Sequence, residues 1–304
     1  MSKHTLPILA LAALTLCGCS DHSKHDTSTA PPPPDHPTAP PLPRESNTPL
    51  PPKEQTAPPL HDSSGAAAPA STPVAQPMPV ASAPPASPVP APKTTMSELR
   101  TDGNLMERHK RIVAEASQGG NEIAFIGDSI TEGWAGAGKD AWKNIWEPRH
   151  GVNCGIGGDR TQHVIGRLDN GLMDALSASN NTIKWVVLMI GTNNTGGDSA
   201  ADIAAGNETI INKLRAGLPQ AEIALFAVFP RGQWQSPQRD TIDAINKRLQ
   251  TIAARDPRHI HYIDIGPKFL KPSGELPPDL MPDFLHLSPM GYKLWSDELA
   301  NVIQ

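Results

Sequence analysis

The chain has 304 residues, a formal net charge of −5 and 34 prolines. No basic stripe with interleaved aromatics runs along it, so a nucleic-acid partner is not expected. Twenty-two of the prolines fall between Pro31 and Pro92, amid Ala, Ser and Thr with few large apolar residues. This leaves about two hundred residues to build one well-buried domain.

At the N-terminus, Lys3 and His4 precede a short apolar stretch from Leu6 to Leu16. It is too short to span a membrane and has the length of a signal h-region. It ends in Leu16-Cys17-Gly18-Cys19-Ser20, which resembles a bacterial lipobox. The resemblance implies a signal peptide over 1–18, lipidation of Cys19 and, because Ser20 follows it, sorting to the outer membrane. An ordinary secretory cleavage is the alternative, since Cys17 is unusual at its lipobox position. Residues 19–95 then form a Pro/Ala-rich linker, expected to be disordered with polyproline character because it has too little apolar surface to offset chain entropy. The folded domain is expected over 96–304, and Thr95-Met96-Ser97-Glu98 matches a capping box at its start.

Within that domain, apolar runs alternate with helical patterns. Leu105, His109, Ile112, Val113 and Ala116 share one helix face, and the first strand follows at Ile123 to Ile126. Ser129-Ile130-Thr131-Glu132 then fits the S-x-x-E capping pattern. Trp134, Trp142 and Trp146 stand at near-helical spacing and read as core rather than as a sugar platform. A second strand, Gly151 to Cys154, runs into the glycine-rich Asn153 to Asp159, and Arg160 and His163 read as the start of a helix. The third strand, Trp185 to Ile190, ends at Gly191-Thr192-Asn193-Asn194. Helix patterns through Ile203 to Leu218 and Ile242 to Ile252 flank a strand from Ile223 to Phe229, and Ile260 to Ile263 supplies the fifth. Ser236-Pro237 and Ser288-Pro289 read as N-cap plus first-turn proline. This alternation predicts one α/β domain around a parallel sheet covered on both faces.

A serine after the first strand, and Asp283 and His286 on one short segment near the end, supply the groups of a nucleophilic hydrolase. A serine hydroxyl is a weak nucleophile, so an imidazole must take its proton and a carboxylate must hold the imidazole's tautomer. Backbone N–H groups of a glycine turn and an Asn amide are suitable donors to an oxyanion. Each motif alone also has a plain reading as a cap or a turn. Their joint occurrence, with the first three at the C-terminal ends of strands, favours a site.

Phe125-Ile126-Gly127-Asp128-Ser129, Asn153 to Val164, Gly191 to Asn194, Pro230-Arg231-Gly232 and Asp283 to Ser288 together resemble the SGNH (GDSL) hydrolase superfamily. Within it they look most like the catalytic subunits of intracellular platelet-activating factor acetylhydrolases. The resemblance implies a flavodoxin-like three-layer αβα sandwich with five parallel strands in the order 2-1-3-4-5. It implies Ser129 as nucleophile, His286 as base and Asp283 as its orienter. The oxyanion hole it implies consists of the Ser129 and Gly158 N–H groups with Asn193 Nδ2, and the acyl pocket of Ile130, Thr192 and Leu285. No cofactor or metal is expected; His259, His261 and Asp264 were the best metal candidates and do not persuade. Cys154 is expected as a packed core thiol, and a homodimer is possible because the similar subunits dimerise. The expected activity is an envelope serine esterase cleaving small acyl, chiefly acetyl, esters. Its rivals are an esterase of acetylated carbohydrate or peptidoglycan and a non-catalytic tethered binding domain.

Overall fold

The computed structural model describes residues 90–303 with the exception of Ser179; the expected signal peptide at 1–18, Cys19 and the linker up to residue 89 lie outside the described residues. Five strands pair in parallel: β1 (Ile123–Gly127), β2 (Gly151–Asn153), β3 (Trp185–Met189), β4 (Glu222–Phe226) and β5 (Ile260–Ile263). Their order is β2-β1-β3-β4-β5, as expected from the resemblance. Ile123 pairs with Gly151 on one side and Trp185 on the other, which fixes the central register.

Because successive side chains leave a strand on opposite faces, continuous apolar runs feed two cores. Ala124, Ile126, Val186, Leu188, Ile223 and Leu225 belong to one cluster. That face is covered by α1 (Gly103–Ser117), α3 (Thr161–Arg167), α4 (Ala200–Gly217) and α5 (Pro237–Ala253), which bring Ile112, Val164, Ile210 and Ile245. Phe125, Val187, Met189 and Phe226 belong to the other, covered by α6 (Pro289–Ala300) and by the segment bearing Trp134 and Trp146. Trp134, Trp142 and Trp146 gather around Phe125 with ring centroids 5.0 to 5.9 Å away. Trp134 and Trp146 are wholly buried, in keeping with a core role.

Three local readings need correction. The fourth strand stops at Phe226 rather than Phe229, because Asn246 of α5 takes over the backbone of Val228: its Oδ1 accepts from Val228 N–H at 2.8 Å and its Nδ2 donates to Val228 O at 3.0 Å. The second strand ends at Asn153, one residue before Cys154. Thr95 does not cap a helix. Lys93–Thr95 is a single 3₁₀ turn, Met96 is extended, and the first α-helix begins at Gly103. That turn is already part of the packed domain, for Thr94 is buried, donates to Asp202 O at 2.7 Å and accepts from Thr161 Oγ1 at 2.9 Å. The proline caps hold as read, with Ser236 accepting from Arg239 N–H and Ser288 from Gly291 N–H. Among the described residues no helix is long and apolar enough to cross a membrane.

Candidate active site

Strand β1 delivers Asp128 and Ser129 to the C-terminal edge of the sheet. Asp128 caps the short helix α2 (Ser129–Glu132), its Oδ1 accepting from Ile130 N–H at 3.0 Å, so Ser129 is the first helical residue and not the cap. Glu132, the fourth member of the capping pattern, reaches away from its own helix and accepts from Gly157 N–H at 2.7 Å. Asp128 is buried, and burial pushes its carboxyl up to about 7. Helix α6 holds the same turn from below, for the buried Tyr292 hydroxyl donates to Ile130 O at 2.6 Å.

The structure brings Ser129, His286 and Asp283 into one row. Ser129 Oγ lies 2.9 Å from His286 Nε2, and His286 Nδ1 lies 2.7 Å from Asp283 Oδ2. A carboxylate at Nδ1 selects the tautomer with its proton there, leaving the Nε2 lone pair to accept from the Ser129 hydroxyl. Asp283 Oδ1 accepts from the N–H groups of His286 at 2.7 Å and Leu285 at 3.1 Å. Partial burial pushes Asp283 up, but the hydrogen bonds from His286 and Leu285 outweigh it and leave the carboxyl below its ordinary value. Phe284 between them has φ 58°, a left-handed conformation that costs a bulky residue about 1–3 kcal/mol. Two backbone bonds hold it there: Phe284 N–H donates to Met281 O at 2.9 Å, and Phe284 O accepts from Gly232 N–H at 2.8 Å.

The glycine turn runs alongside the serine. A Cβ on Gly155 would stand 2.2 Å from the backbone nitrogen of Glu132, so the turn can pass α2 only without a side chain there. At Gly158, φ is 75°. The N–H groups of Gly158 and Ser129 have no acceptor among the described residues. Asn193 Nδ2 donates to Asp159 O at 2.9 Å, which uses one of its two hydrogens and leaves the second for a ligand. Beneath the turn, Arg167 Nε pairs with Asp159 Oδ2 at 2.8 Å while its Nη1 and Nη2 donate to Cys154 O and Gly127 O. Arg100 donates to Gly157 O at 2.7 Å, and Arg108 binds both Gly155 O and Glu132. A buried ion pair tied to the ends of β1 and β2 thus fixes the turn.

The residues expected to close an acyl pocket divide. Ile130 is buried within the aromatic cluster, and Thr192 is buried with its carbonyl and hydroxyl both accepting from Arg231 Nη1. Leu285 is half-buried on the Asp283–His286 segment. Cys154 is a fully buried thiol that burial pushes up to about 12, as befits a core residue. His259 bonds Asp256 at 2.8 Å and His261 bonds Glu222 at 2.5 Å, so the two imidazoles face different carboxylates. His163 Nδ1 accepts from Arg160 N–H at the start of α3, as a helix-start reading requires. Arg100, Arg108, Glu132, Arg167 and Arg231 were not read from the sequence as part of the site. Two gave a signal: Glu132, near Ser129, read as a helix cap, and Arg231 stands in the Pro230-Arg231-Gly232 stretch that carries the resemblance, without a role given to it.

Residues 125–294 match the GDSL-like lipase/acylhydrolase family. The chain is 35% identical over 204 residues to the platelet-activating factor acetylhydrolase IB subunit alpha1 of Homo sapiens and of Bos taurus, covering 67% of this chain and 84% of each relative. It is 30% identical over 195 residues to the alpha2 subunit of Rattus norvegicus, covering 64% and 81%. Among solved structures, the acetyl xylan esterase AlAXEase superposes with a TM-score of 0.52 at 18% identity, over 60% of this chain and all of that one, a likeness of fold.

Proposed function

We propose, since the chain belongs to the GDSL-like lipase/acylhydrolase family and is a carboxylic ester hydrolase, that Ser129, His286 and Asp283 hydrolyse small acyl esters, chiefly acetyl esters, through an acyl-serine. The observation that carries this reading is the continuous row from Ser129 Oγ through His286 to Asp283, at 2.9 and 2.7 Å. Ser129 Oγ attacks the ester carbonyl as its proton passes to His286 Nε2. Asp283 keeps the imidazole oriented and stabilises the imidazolium. The oxyanion takes hydrogen bonds from the N–H groups of Ser129 and Gly158 and from Asn193 Nδ2, all present before the reaction begins. The acyl C–O bond then breaks, the His286 proton goes to the leaving alkoxide, and water repeats the sequence to release the acid.

The preference for a short acyl chain follows the family resemblance, in which Ile130, Thr192 and Leu285 close the acyl pocket; the first two are buried here and Leu285 is half-buried. Cys19 is taken as a lipid anchor that holds the domain in the cell envelope, the setting in which acetylated glycans or lipids are met. An organophosphate should label Ser129 in the purified protein, and p-nitrophenyl acetate should outrun the octanoate. Absence of labelling would return the chain to a tethered binding role, and equal rates would remove the small-acyl claim. For the anchor, Cys19→Ser should abolish incorporation of labelled palmitate and release the protein from the membrane fraction; unchanged membrane association would refute it.

A further inference from the structure

Three large apolar side chains among the described residues stand in solvent: Met96, Met290 and Trp234. Trp234 is the aromatic one, 52% exposed, although an indole is among the side chains with most to gain from burial. Its place is set by the residues just before it. Arg231 Nη1 donates to Thr192 O at 3.2 Å, next to Asn193. Gly232 N–H donates to Phe284 O, two residues before His286. The segment that ends in Trp234 therefore bridges the two sides of the candidate site, the Asn193 turn and the His286 segment.

This bridge is held firmly from beneath. Arg239 of α5 is buried and forms no ion pair among the described residues. Its guanidinium goes entirely to backbone, donating to Arg231 O at 2.9 Å, Gly232 O at 2.5 Å, Gln233 O at 3.1 Å and Gly274 O at 2.7 Å. Leu276 N–H adds a bond to Gln233 O at 2.8 Å. Burying an arginine to clasp three consecutive carbonyls leaves the next residue little freedom to turn inward, so Trp234 is presented outward on a rigid support.

We propose that Trp234 is a stacking platform for a sugar ring on the alcohol side of the ester cleaved at Ser129. The C–H face of a pyranose packs on an indole while its hydroxyls remain solvated, and a half-exposed ring on a polar rim meets both needs. Gln233 precedes it with an amide able to bind a hydroxyl, while Gln235 Nε2 is held by Asp240 Oδ1 at 2.8 Å and Ser236 Oγ caps α5. A docking site for acyl lipid would gather several apolar side chains. The other two exposed ones lie on separate segments, Met96 ahead of α1 and Met290 in the first turn of α6. Because the platform is already fixed, stacking costs little ordering entropy.

This inference rests on the esterase reading, and the test separates the two. In the full chain, Trp234→Ala and Trp234→Phe are compared with the unaltered protein on an acetylated xylo-oligosaccharide and on methyl acetate. For Trp234→Ala the ratio of kcat/KM for sugar ester to methyl ester should fall roughly tenfold, carried by KM with kcat on the sugar within about twofold, and Trp234→Phe should recover most of it. An unchanged ratio or an equal loss on both esters would each overturn the platform. Independently, Ser129→Ala is titrated with the unacetylated oligosaccharide and its tryptophan fluorescence quenched with iodide. Shielding that disappears in the Ser129→Ala, Trp234→Ala protein supports stacking, and no shielding refutes it. This outcome stands even if the unaltered protein hydrolyses neither ester, which would instead refute the esterase reading.

Discussion

On the glycine-turn side of Ser129, the side chains of Arg167 and Asp159 are 3% and 1% exposed, and Arg167 ties the turn to the ends of β1 and β2 while Asp159 also meets Arg100. On the other side, those of His286 and Asp283 stand 45% and 57% exposed, on a segment whose central Phe284 is held in a left-handed conformation. The difference matches the two tasks. Donors to a developing charge help only if they need no rearrangement when it forms, and the turn bearing the proposed donor Gly158, itself exposed, is fixed by a buried ion pair. A base that must take a proton, deliver it to a leaving group and then meet water has reason to stay accessible.

The largest test of this contrast lies in the row itself. Ser129→Ala and His286→Ala should each lower kcat on p-nitrophenyl acetate by roughly 10³ or more, and the double variant should be little worse because the residues act as a unit. Multiplicative losses would separate them. On the buried side, Arg167→Met leaves Asp159 only its longer 3.3 Å contact with Arg100 and should cost about 3–5 kcal/mol of stability in a urea titration. Little change would mean that the frame is not what fixes the turn. Asn193→Ala should lower kcat by about 10²–10³ with KM nearly unchanged if the amide meets only the oxyanion; a rise in KM at constant kcat would assign it to substrate binding.

Asp128 offers a pH test. Burial lifts its carboxyl from 3.8 to about 7 in the folded state, so the native protein holds that proton more tightly than the unfolded chain does. Its contribution to stability is therefore fully present below about 3.8 and is lost as pH rises through about 7. Thermal melts from pH 4 to 8 should show the unaltered protein losing stability relative to Asp128→Asn across that window; parallel curves would show a carboxyl that titrates as if exposed. The smallest effect is expected at the domain edge. A chain begun at Met96 loses Thr94 and leaves the buried Thr161 hydroxyl without its 2.9 Å acceptor. That should cost about 1–3 kcal/mol relative to a chain begun at Pro90, read from the two urea midpoints.

Much of this architecture is legible in the residues. Apolar runs such as Trp185 to Ile190 announce buried parallel strands, one of which forms as Trp185–Met189, and the family resemblance picks out Ser129, Gly158, Asn193, Asp283 and His286. What escapes is whatever acts through backbone. Arg167 and Arg100 serve by donating to carbonyls of residues distant in the chain, as Arg239 does to Gly274, and no local pattern says which carbonyls the fold will bring near. Glu132 was visible but read as a cap, since its true partner, Gly157 N–H, is 25 residues away. The end of β4 was misplaced for the same reason, as an Asn of the following helix claims the backbone at Val228.

The bond from Tyr292 to Ile130 spans 162 residues and the contact of Ser129 with His286 spans 157. Contacts of such sequence separation form late, because the intervening loop must close before they return any stabilisation. During synthesis Ser129 is made well before His286, the base proposed for it, and before the helix that supports its turn. On the proposed mechanism a nascent chain is chemically silent until His286 has been made and packed against Ser129. Hydrolysis then begins together with tertiary closure, which makes the onset of ester turnover a direct clock for the final step of folding.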